Sequence, residues 1–589
     1  MIKIKRRIII GSIIFLLLFF GSSYLINGLR TDIMSVEVLK TVENENFIKN
    51  GKREALKTQI LYNDFPVVYE ESSNTIYISQ NIYEDRWTGK LKASNGRLKI
   101  KEDEFLSKKT EALEKGQIFK LYWYDEDSYW EYNLVFTGMP MISLKTENFQ
   151  NESEEIWSGT IEAHDPYRTG MEYQKFNCTF NIRGGSTRIF PKKGYKVELI
   201  NDKTSFLGMR KDDDWILNAL YDDAGLIHNM TSMKVWDEIT EYNTVKGDGG
   251  VDGEYAEVFI NGEYNGVYLL SERVDEKELS LNKSDKLYKC RAMRIPQEHN
   301  YTNKDTDELR PIFLLKYPKE DIEENWEPLK EWVDCFLKLD VEEYEEAEQI
   351  LNLENALDYN IFCLLIGGGD NTRKNIFFTA EHQEDGTYKF VKNPWDLNAT
   401  WGNHWTGNAD SNNTLYEEDY YKNVRNWSSD ISTLYFMNEA RVSELLYERW
   451  KELRQNLIIT EEKIDEILDG QFAYLYGSGA YLRNYSRWPH GHEYWKDDYI
   501  YDYVEKRIAF LDQYFEELYN SSIQGYVYNG VDYTEEFEAR YYWEKNYEIL
   551  SEIYEYDKDI LLEHYVYYGK PYGMQGRPQD WSQIPVRSG

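Results

Sequence analysis

Cysteine is scarce in this chain, and its spacing is unfavourable for metal binding. The 589 residues include four cysteines, and no two of them form a C-x-x-C pair. Structural zinc sites usually draw on such pairs, so the sequence argues against one. Four thiols are also too few for a fold of this length to be stabilised mainly by disulfide bonds. We therefore predict buried free thiols, with at most one or two bridges.

Basic residues are also in short supply. The chain has 68 Lys and Arg against 104 Asp and Glu, which gives a formal net charge of −36. Because such a chain repels a phosphate backbone, nucleic acid is not expected as a partner. A polyphosphate ligand would need a local basic pocket or a bound metal ion. The motifs G-x-S-x-G and H-E-x-x-H are absent, which argues against a serine hydrolase and a zinc metalloprotease.

An uncharged apolar run near the N-terminus extends from Ile8 to about Ile26. Its length matches the roughly 20 residues that a membrane-spanning helix needs. The basic residues before it should remain cytoplasmic, namely Lys3, Lys5, Arg6 and Arg7. We predict a single-pass signal anchor over residues 1–29, with the rest of the chain outside the cell. The alternative is a signal peptide cleaved near residues 21–23, which would give a secreted protein.

The length of the chain predicts roughly two to four domains. Residues 30–137 contain a polar stalk and short alternating runs typical of strands, which predicts a small β domain. Residues 138–520 mix a β-rich stretch, up to about Glu272, with mostly helical segments after it. Residues 525–580 form a separate tyrosine-rich segment. The fold class predicted from these patterns is α+β.

The clearest chemical pattern lies between residues 360 and 403. A periodic helix ends at Gly367-Gly368-Gly369, and a short loop then carries Asp370 and Asn375. A β-hairpin is predicted from Ile376 to Val391, with Asp-Gly in its turn. Because a hairpin returns to its starting point, Asp396 should come back beside Asn375 and Asp370.

Protein kinases place a catalytic base and two metal ligands in this same order, around the same kind of hairpin. Phosphoryl transfer requires hard oxygen ligands for Mg²⁺ or Mn²⁺, and a carboxylate that orients the attacking hydroxyl. A purely structural alternative also fits. In that interpretation Asp370 and Asp396 cap turns, and Asn375 occupies a left-handed backbone position.

The upstream half contains a second set of polar residues. Arg183 and Ser186 flank two glycines in a turn suited to an anion. Lys193 and Lys196 begin a predicted strand, where a lysine is placed to neutralise phosphates; a solvated strand end is the alternative. An amphipathic helix follows, with Leu226, Met230, Met233 and Trp236 along one side, and then a hairpin turning at Asn261-Gly262. The residue after its second strand, Glu272, would fall in a kinase-like hinge.

These segments resemble the spore coat protein H (CotH) kinase family over about residues 140–519. The stretches that carry the resemblance are the loop from Asp370 to Asn375, RGGSTRIFPKKGYKVEL, DDDWILNALYDDAGLIHNMTSMKVW, YAEVFINGEYNGVYLLSERV and PWDLNATWGN. The resemblance implies a reduced, atypical protein-kinase-like fold with two lobes. It also implies an enzyme that uses ATP and Mg²⁺ or Mn²⁺ to phosphorylate Ser or Thr of proteins at the cell surface or spore coat.

By this resemblance Asp370 is the catalytic base, and Asn375 and Asp396 are metal ligands. Lys193 or Lys196 contacts phosphates. Two positions depart from the family pattern. Asn398 stands where the family often has a second acid, and a neutral amide binds a metal more weakly. Gly368-Gly369 replaces the His-Arg that precedes the catalytic Asp in typical kinases.

The C-terminal segment resembles a short helical repeat found on bacterial surface proteins. Its matching features are Tyr541-Tyr542, Asn546, Leu562, His564-Tyr565, Tyr568-Gly569 and Gly576-Arg577. We predict a helical interaction module in which His564 packs or forms hydrogen bonds. The alternative is a tail that has no binding role.

For the whole chain, two functions compete with an active kinase. One is a pseudokinase scaffold, and the other is a metal-dependent adhesion protein.

Overall fold

The computed structural model describes residues 37–39, 52–53, 58–101, 108–147, 149–150, 155–243, 245–247, 249–293, 306–337, 344–403, 422–489, 495–523, 525–551, 553–554 and 557–577. The apolar run predicted to anchor the chain lies outside these residues. Within them, no helix combines the length and the apolar character that crossing a bilayer requires. Helices and sheets occur together, and the chain is α+β.

The first structural unit, up to Phe136, is built from short strands. One sheet has the strand order β1-β8-β9-β10-β6-β5 with β2 beside β10, and a smaller one has the order β4-β3-β7. The runs of alternating residues predicted as strands are confirmed as parts of β6, β8, β9 and β10. The strands are β1 Glu37–Leu39, β2 Lys52–Arg53, β3 Ile60–Tyr62, β4 Phe65–Pro66, β5 Val68–Glu70, β6 Thr75–Ser79, β7 Leu91–Ala93, β8 Arg97–Lys101, β9 Ile118–Tyr124 and β10 Ser128–Thr137. Helix α1 spans Lys109–Glu114.

The second unit begins with a closed seven-stranded barrel in the order β11-β12-β13-β14-β15-β17-β16. Its strands are β11 Met141–Thr146, β12 Trp157–His164, β13 Tyr173–Arg183, β14 Gly194–Leu199, β15 Asp214–Asn218, β16 Gly253–Ile260 and β17 Glu263–Ser271. Side chains that alternate along β14 fill the barrel interior, including Tyr195, Val197 and Leu199. The intervening Lys196 therefore lies on the outer surface of the barrel.

The hairpin predicted at Asn261-Gly262 is confirmed. Strands β16 and β17 pair in antiparallel register, and the two turn residues have φ angles of 50° and 87°. Both angles are positive, as a two-residue turn of this kind requires. The helix predicted before this hairpin is α2, His228–Tyr242, and it buries Met230, Met233 and Trp236. Leu226 was assigned to the helix incorrectly, because it precedes the first turn and has a left-handed φ of 62°.

A four-stranded sheet and a set of helices follow the barrel. The sheet order is β19-β18-β20-β21, with β18 Lys286–Cys290, β19 Phe313–Tyr317, β20 Ile376–His382 and β21 Tyr388–Pro394. The helices are α3 Thr306–Leu309, α4 Glu327–Phe336, α5 Tyr344–Gln349, α6 Leu353–Ile366, α7 Ser429–Met437, α8 Glu439–Gln455, α9 Glu461–Gly477, α10 Ala480–Arg487 and α11 Asp498–Ile523. One apolar core joins α2, α6, the inner face of the sheet and α11. The pair β18 and β19 was not predicted.

The tyrosine-rich segment folds around its own small core. It contains β22 Val527–Tyr528, β23 Val531–Asp532, α12 Ala539–Lys545, α13 Tyr547–Leu550 and α14 Lys558–His564, followed by a π turn at Tyr565–Gly569. Phe537, Tyr542 and Leu562 lie in this core. The Tyr542 hydroxyl and the Nδ1 atom of His564 are 2.8 Å apart, which confirms His564 as a packed, hydrogen-bonded residue.

All four cysteines are buried and free. Burial raises the pKa of the Cys178, Cys290 and Cys363 thiols to about 12, so none of these is a reactive thiolate at neutral pH. The prediction of buried free thiols is confirmed.

Candidate functional site

The loop after helix α6 carries Asp370. Gly367 ends the helix with a left-handed backbone at φ 66° and ψ 31°. A single 3₁₀ turn, Gly369–Thr372, follows at once. The Asp370 side chain is 37% exposed and pairs with the ammonium of Lys374 at 2.7 Å. Asp370 is therefore held in place by a lysine while remaining open to solvent.

The hairpin after this loop brings its two ends together. Strands β20 and β21 pair from Ile376 opposite Pro394 up to the turn. One residue beyond each strand, the Trp395 amide donates to the Asn375 carbonyl at 2.9 Å. The predicted return of Asp396 to the neighbourhood of Asn375 is confirmed, because Asp396 directly follows Trp395.

Asn371 fixes the loop to the residues after the hairpin. Its side-chain amide donates to the Trp395 carbonyl at 2.9 Å, and its own carbonyl accepts from the Tyr359 hydroxyl at 2.8 Å. This residue was not among the predicted site residues. Its partners lie 12 and 24 positions away, and no short-range pattern indicates them.

Asn375 and Asp396 are alike in two respects: each has a left-handed backbone, and the side chain of each has no partner among the described residues. Their φ angles are 56° and 60°, in the left-handed region that non-glycine residues seldom occupy. Among the described residues, neither side chain has a hydrogen bond or an ion pair within the protein. The turn-capping alternative for Asp396 therefore has no hydrogen bond to support it. The left-handed backbone of Asn375 is the one that the structural alternative predicts.

Two cations lie near Asp396 and share the ring of Trp395. The Arg183 guanidinium and the Lys289 ammonium each lie 5.6 Å from the centre of that ring. Burial lowers the pKa of Arg183, and the charge of Asp396 opposes that shift. Burial also lowers the pKa of Lys289, to about 8, and Asp396 again opposes the change. Asp396 thus faces positive charge in a chain that is strongly acidic overall.

The loop after Asp396 is anchored to the start of helix α2. The Leu397 amide donates to the Asn229 side-chain oxygen at 2.9 Å. The hydroxyl of Ser232 lies 3.0 Å from that of Thr400 and accepts from the Trp401 indole at 2.9 Å. These contacts hold the backbone of residues 397–401 and so fix the position of Asp396.

Asn398 contacts an acid that was not among the predicted site residues. Its side-chain amide donates to the carboxylate of the buried Asp222. Burial, followed by the charge of Asp396, raises the pKa of Asp222 to about 7. A second acid therefore lies beside Asn398 after all, supplied by the turn before helix α2. The adjacent acids Asp222 and Asp223 are the feature of the sequence that could have indicated this second acid.

The two predicted lysines each have partners within the protein. Strand β14 begins at Gly194, so Lys193 precedes the strand rather than beginning it, and its ammonium donates to the Arg188 carbonyl at 2.7 Å. Lys196 forms ion pairs with Glu198 at 2.8 Å and Asp214 at 3.7 Å. Both ammonium groups are committed to protein atoms. The side chain of Ser186 lies outside the described part of the structure.

Glu272 directly follows strand β17, which ends at Ser271. Its buried carboxylate accepts from the Arg210 amide at 2.6 Å and pairs with the guanidinium of the same residue at 3.1 Å. Burial raises the pKa of Glu272, and Arg210 opposes that shift. The side chain is therefore engaged by Arg210.

An acidic group formed by Asp212, Asp214 and Asp275 has carboxylate oxygens within 4.8 Å of one another. Cations already occupy this group. Arg210 pairs with Asp212 at 3.1 Å and with Asp275 at 3.0 Å, and Arg273 pairs with Asp214. Because its charge is neutralised by protein side chains, this group is a poorer metal site than Asn375 with Asp396.

The residues around Asp396 fit a divalent cation and a polyphosphate. The fit rests on the uncommitted oxygens of Asn375 and Asp396, the ligand type that Mg²⁺ and Mn²⁺ prefer, and on the adjacent cations. A small cavity of about 20 Å³ adjoins Asp396 and is lined in part by Asn218, Asn229 and Ser271. Chemically, the arrangement can hold a metal ion between protein oxygens and the oxygens of an anionic ligand.

Comparison with known proteins gives two matches. Residues 180–511 match the family described as CotH kinase protein. Inner spore coat protein H of Bacillus subtilis (strain 168) is 30% identical over 151 residues, which is 25% of this chain and 37% of that protein. The aligned part is thus less than two thirds of the relative's length. Because the family match covers more than half of the 589 residues, the chain belongs to the CotH kinase protein family.

Proposed function

We propose that this chain is an atypical protein kinase that transfers the γ-phosphoryl group of ATP to Ser or Thr of a protein, with Mg²⁺ or Mn²⁺. One observation carries the proposal. Asn375 and Asp396 lie at the two ends of a hairpin with uncommitted oxygens, and Arg183 and Lys289 are near Asp396. Membership of a kinase-named family supports it.

Each side chain has a definite part in such a transfer. The bound metal ion would neutralise charge on the phosphate oxygens. Asn375 and Asp396 would hold it, with Asp222 as a nearby acid behind Asn398. The acceptor hydroxyl oxygen bonds to the γ-phosphorus, the bond from that phosphorus to the β-bridging oxygen breaks, and ADP leaves with the electron pair. The exposed carboxylate of Asp370 receives the hydroxyl proton.

The proposal includes a two-lobed arrangement within the second unit. The barrel with helix α2 would form the upper lobe, and the four-stranded sheet with the remaining helices would form the lower one. Arg183 at the end of β13 belongs to the barrel, whereas Lys289 and Asp396 belong to the sheet and its flanking loop. The nucleotide phosphates would then contact both parts.

We extend the location named for the Bacillus subtilis relative to this chain. Its substrates would be proteins of the spore coat or cell surface, and residues 1–29 would anchor it in a membrane. The helical module at residues 525–580 would serve as an interaction module. None of these partners is needed for the first biochemical test.

The test measures transfer of radiolabelled phosphate from ATP by the full chain, purified in mild detergent with Mn²⁺. We expect label on the chain itself or on an added Ser/Thr-containing protein. In the Asp396→Ala variant the label should fall at least about 100-fold, because the metal loses its main carboxylate. The matched control is Asp385→Asn in the exposed turn of the same hairpin, where the carboxylate accepts hydrogen bonds from Thr387. This control should keep full activity.

Other outcomes favour the other two functions. Nucleotide binding without label transfer would indicate a pseudokinase scaffold, which the Asn398 substitution makes the second candidate. If neither ATP nor ADP binds, the kinase proposal is wrong and a metal-dependent adhesion protein remains.

A further inference from the structure

Asn393 is a buried residue of strand β21, and its side chain binds the backbone of the loop after helix α2. Its amide nitrogen donates to the Gly247 carbonyl at 3.0 Å, and its amide oxygen accepts from the Gly249 nitrogen at 3.0 Å. The helix ends at Tyr242, only a few residues earlier. Asn393 therefore holds the end of α2 on the four-stranded sheet. We call residues 245–250 the latch loop.

Two buried oxygen atoms beside the latch loop have no hydrogen-bond partner. Thr379 and Glu381 share one face of β20 with Phe377, which lies opposite Asn393. Among the described residues, neither the Thr379 hydroxyl nor the Glu381 Oε1 atom forms a hydrogen bond. Gly247 lies directly against this carboxyl group, because a methyl group on Gly247 would be 2.7 Å from Oε1. A carboxyl group buried in this way favours its neutral form.

Charged groups act on Glu381 from both of its neighbouring segments. Lys246 of the latch loop favours the ionised form, and Asp285, just before β18, disfavours it. The Lys246 ammonium pairs with Asp285 at 3.4 Å. Lys389, opposite Glu381 on β21, is exposed, and Asp248 lies outside the described residues. Burial has the largest effect and raises the pKa of Glu381 to about 7.

We propose that the latch loop is a pH-sensitive latch, which holds the end of helix α2 on the sheet while Glu381 is neutral and loosens when Glu381 loses its proton. Loosening would expose the carboxylate to water and separate it from the charge of Asp285. Helix α2 also holds the Leu397 amide through Asn229, which would link the latch to the loop after Asp396. The inference goes beyond the proposed function and does not depend on phosphotransfer.

The direction of the pH effect follows from the two states of Glu381. In the open latch the carboxyl group is in water, where its pKa is near the ordinary value of 4.5, whereas in the closed latch it is about 7. The closed latch is therefore most stable below pH 4.5. It loses stability as the pH rises from about 4.5 to 7, because the open state releases its proton first.

Hydrogen–deuterium exchange of the full chain, purified in mild detergent, measures the latch. The reporter is the peptide that contains the Gly249 amide, which the Asn393 side chain protects. After correction for the intrinsic effect of pH on exchange, its protection should fall by about 50- to 100-fold between pH 5 and pH 8. Amides in the barrel strands β12 and β13, which take no part in the latch, should keep their protection.

Two variants identify Glu381 as the group that titrates. Glu381→Gln keeps the size of the side chain and removes its charge, so protection of the reporter should be equal at both pH values. Lys246→Met removes the cation that favours ionisation, so the fall should continue to a higher pH than in the wild type. The matched control is Glu384→Gln in the exposed turn of the same hairpin, which should follow the wild type.

Three results would overturn the inference. Equal protection of the wild-type reporter at pH 5 and pH 8 would show that the latch does not respond to pH. The same fall in Glu381→Gln as in the wild type would assign the effect to another group. A fall shared by the barrel amides would show general unfolding. If Glu381→Gln does not fold, an unchanged pH profile in Lys246→Met contradicts the proposal instead.

Discussion

Individual residues around Trp395 differ in whether their polar groups have partners within the protein. Most buried polar side chains in a protein are hydrogen-bonded within it. Asn375 and Asp396 have no such partner among the described residues, and each has a left-handed backbone held by its neighbours. The Asp222 carboxylate, by contrast, accepts a hydrogen bond from Asn398, and the residue is 6% exposed. Asn375 and Asp396 are half-buried, and under the proposed function they would hold the metal ion while Asp222 supports the loop behind them.

A buried carboxylate outside this site gives a pH-dependent prediction at the residue scale. Burial raises the pKa of Glu381 from 4.5 to about 7, with Lys246 opposing and Asp285 reinforcing the shift. The folded state therefore holds the proton more tightly, and its stability falls as the pH rises from about 4.5 to 7. In Glu381→Gln the part of this fall that comes from Glu381 should disappear, with a gain of up to about 3 kcal/mol in unfolding free energy above pH 7.

Chemical denaturation at pH 5 and pH 8 measures this effect. The control is Glu384→Gln, an exposed residue in the adjacent turn, which should follow the wild type at both values. Equal pH dependence in Glu381→Gln and the wild type would contradict the assignment.

At the scale of elements, the helix, loop and hairpin from Leu353 to Pro394 position the candidate site. The sequence predicted this set well because its signals are local. The apolar period of α6, the glycines after it and the Asp-Gly turn each act over a few residues. Strands β18 and β19 were missed because each is only five residues long and their pairing depends on distant partners.

The end of helix α6 gives a prediction for this scale. Gly367 has a left-handed backbone that a side chain disfavours. Gly367→Ala should therefore lower the unfolding free energy by roughly 1 kcal/mol and reduce phosphotransfer, since Asp370 follows three residues later.

Gly470→Ala is the matched control. Gly470 lies inside helix α9, and a methyl group there would have no atom within 4 Å. This substitution should raise the unfolding free energy by about 0.5–1 kcal/mol and leave activity unchanged. Thermal melting and the labelling assay distinguish the two variants. A stabilised Gly367→Ala would refute the role given to this turn.

At the scale of the whole molecule, the charge of −36 and the local cations act in opposite directions. The acidic balance should prevent binding of a long polyanion, whereas the cations near Asp396 can hold a compact one. We expect no measurable binding of a DNA duplex at about 0.15 M salt, the condition under which nonspecific contacts are already weak.

Fluorescence anisotropy of a labelled duplex, beside a labelled ATP analogue, makes the comparison directly. The ATP analogue should bind and the duplex should not. Duplex binding that weakens steeply with added salt would show that the basic surface is larger than the described residues indicate.

The family resemblance, the α+β class and the return of Asp396 to Asn375 were predictable from the residues alone. These follow from turns, helix ends and apolar periods, which neighbouring residues encode. Long-range packing brings Lys289 near Asp396, because strand β18 reaches that place through pairing with β20. Long-range packing also places Asp222 against Asn398, 176 positions away. Such contacts depend on how distant segments pack, and no local pattern specifies them.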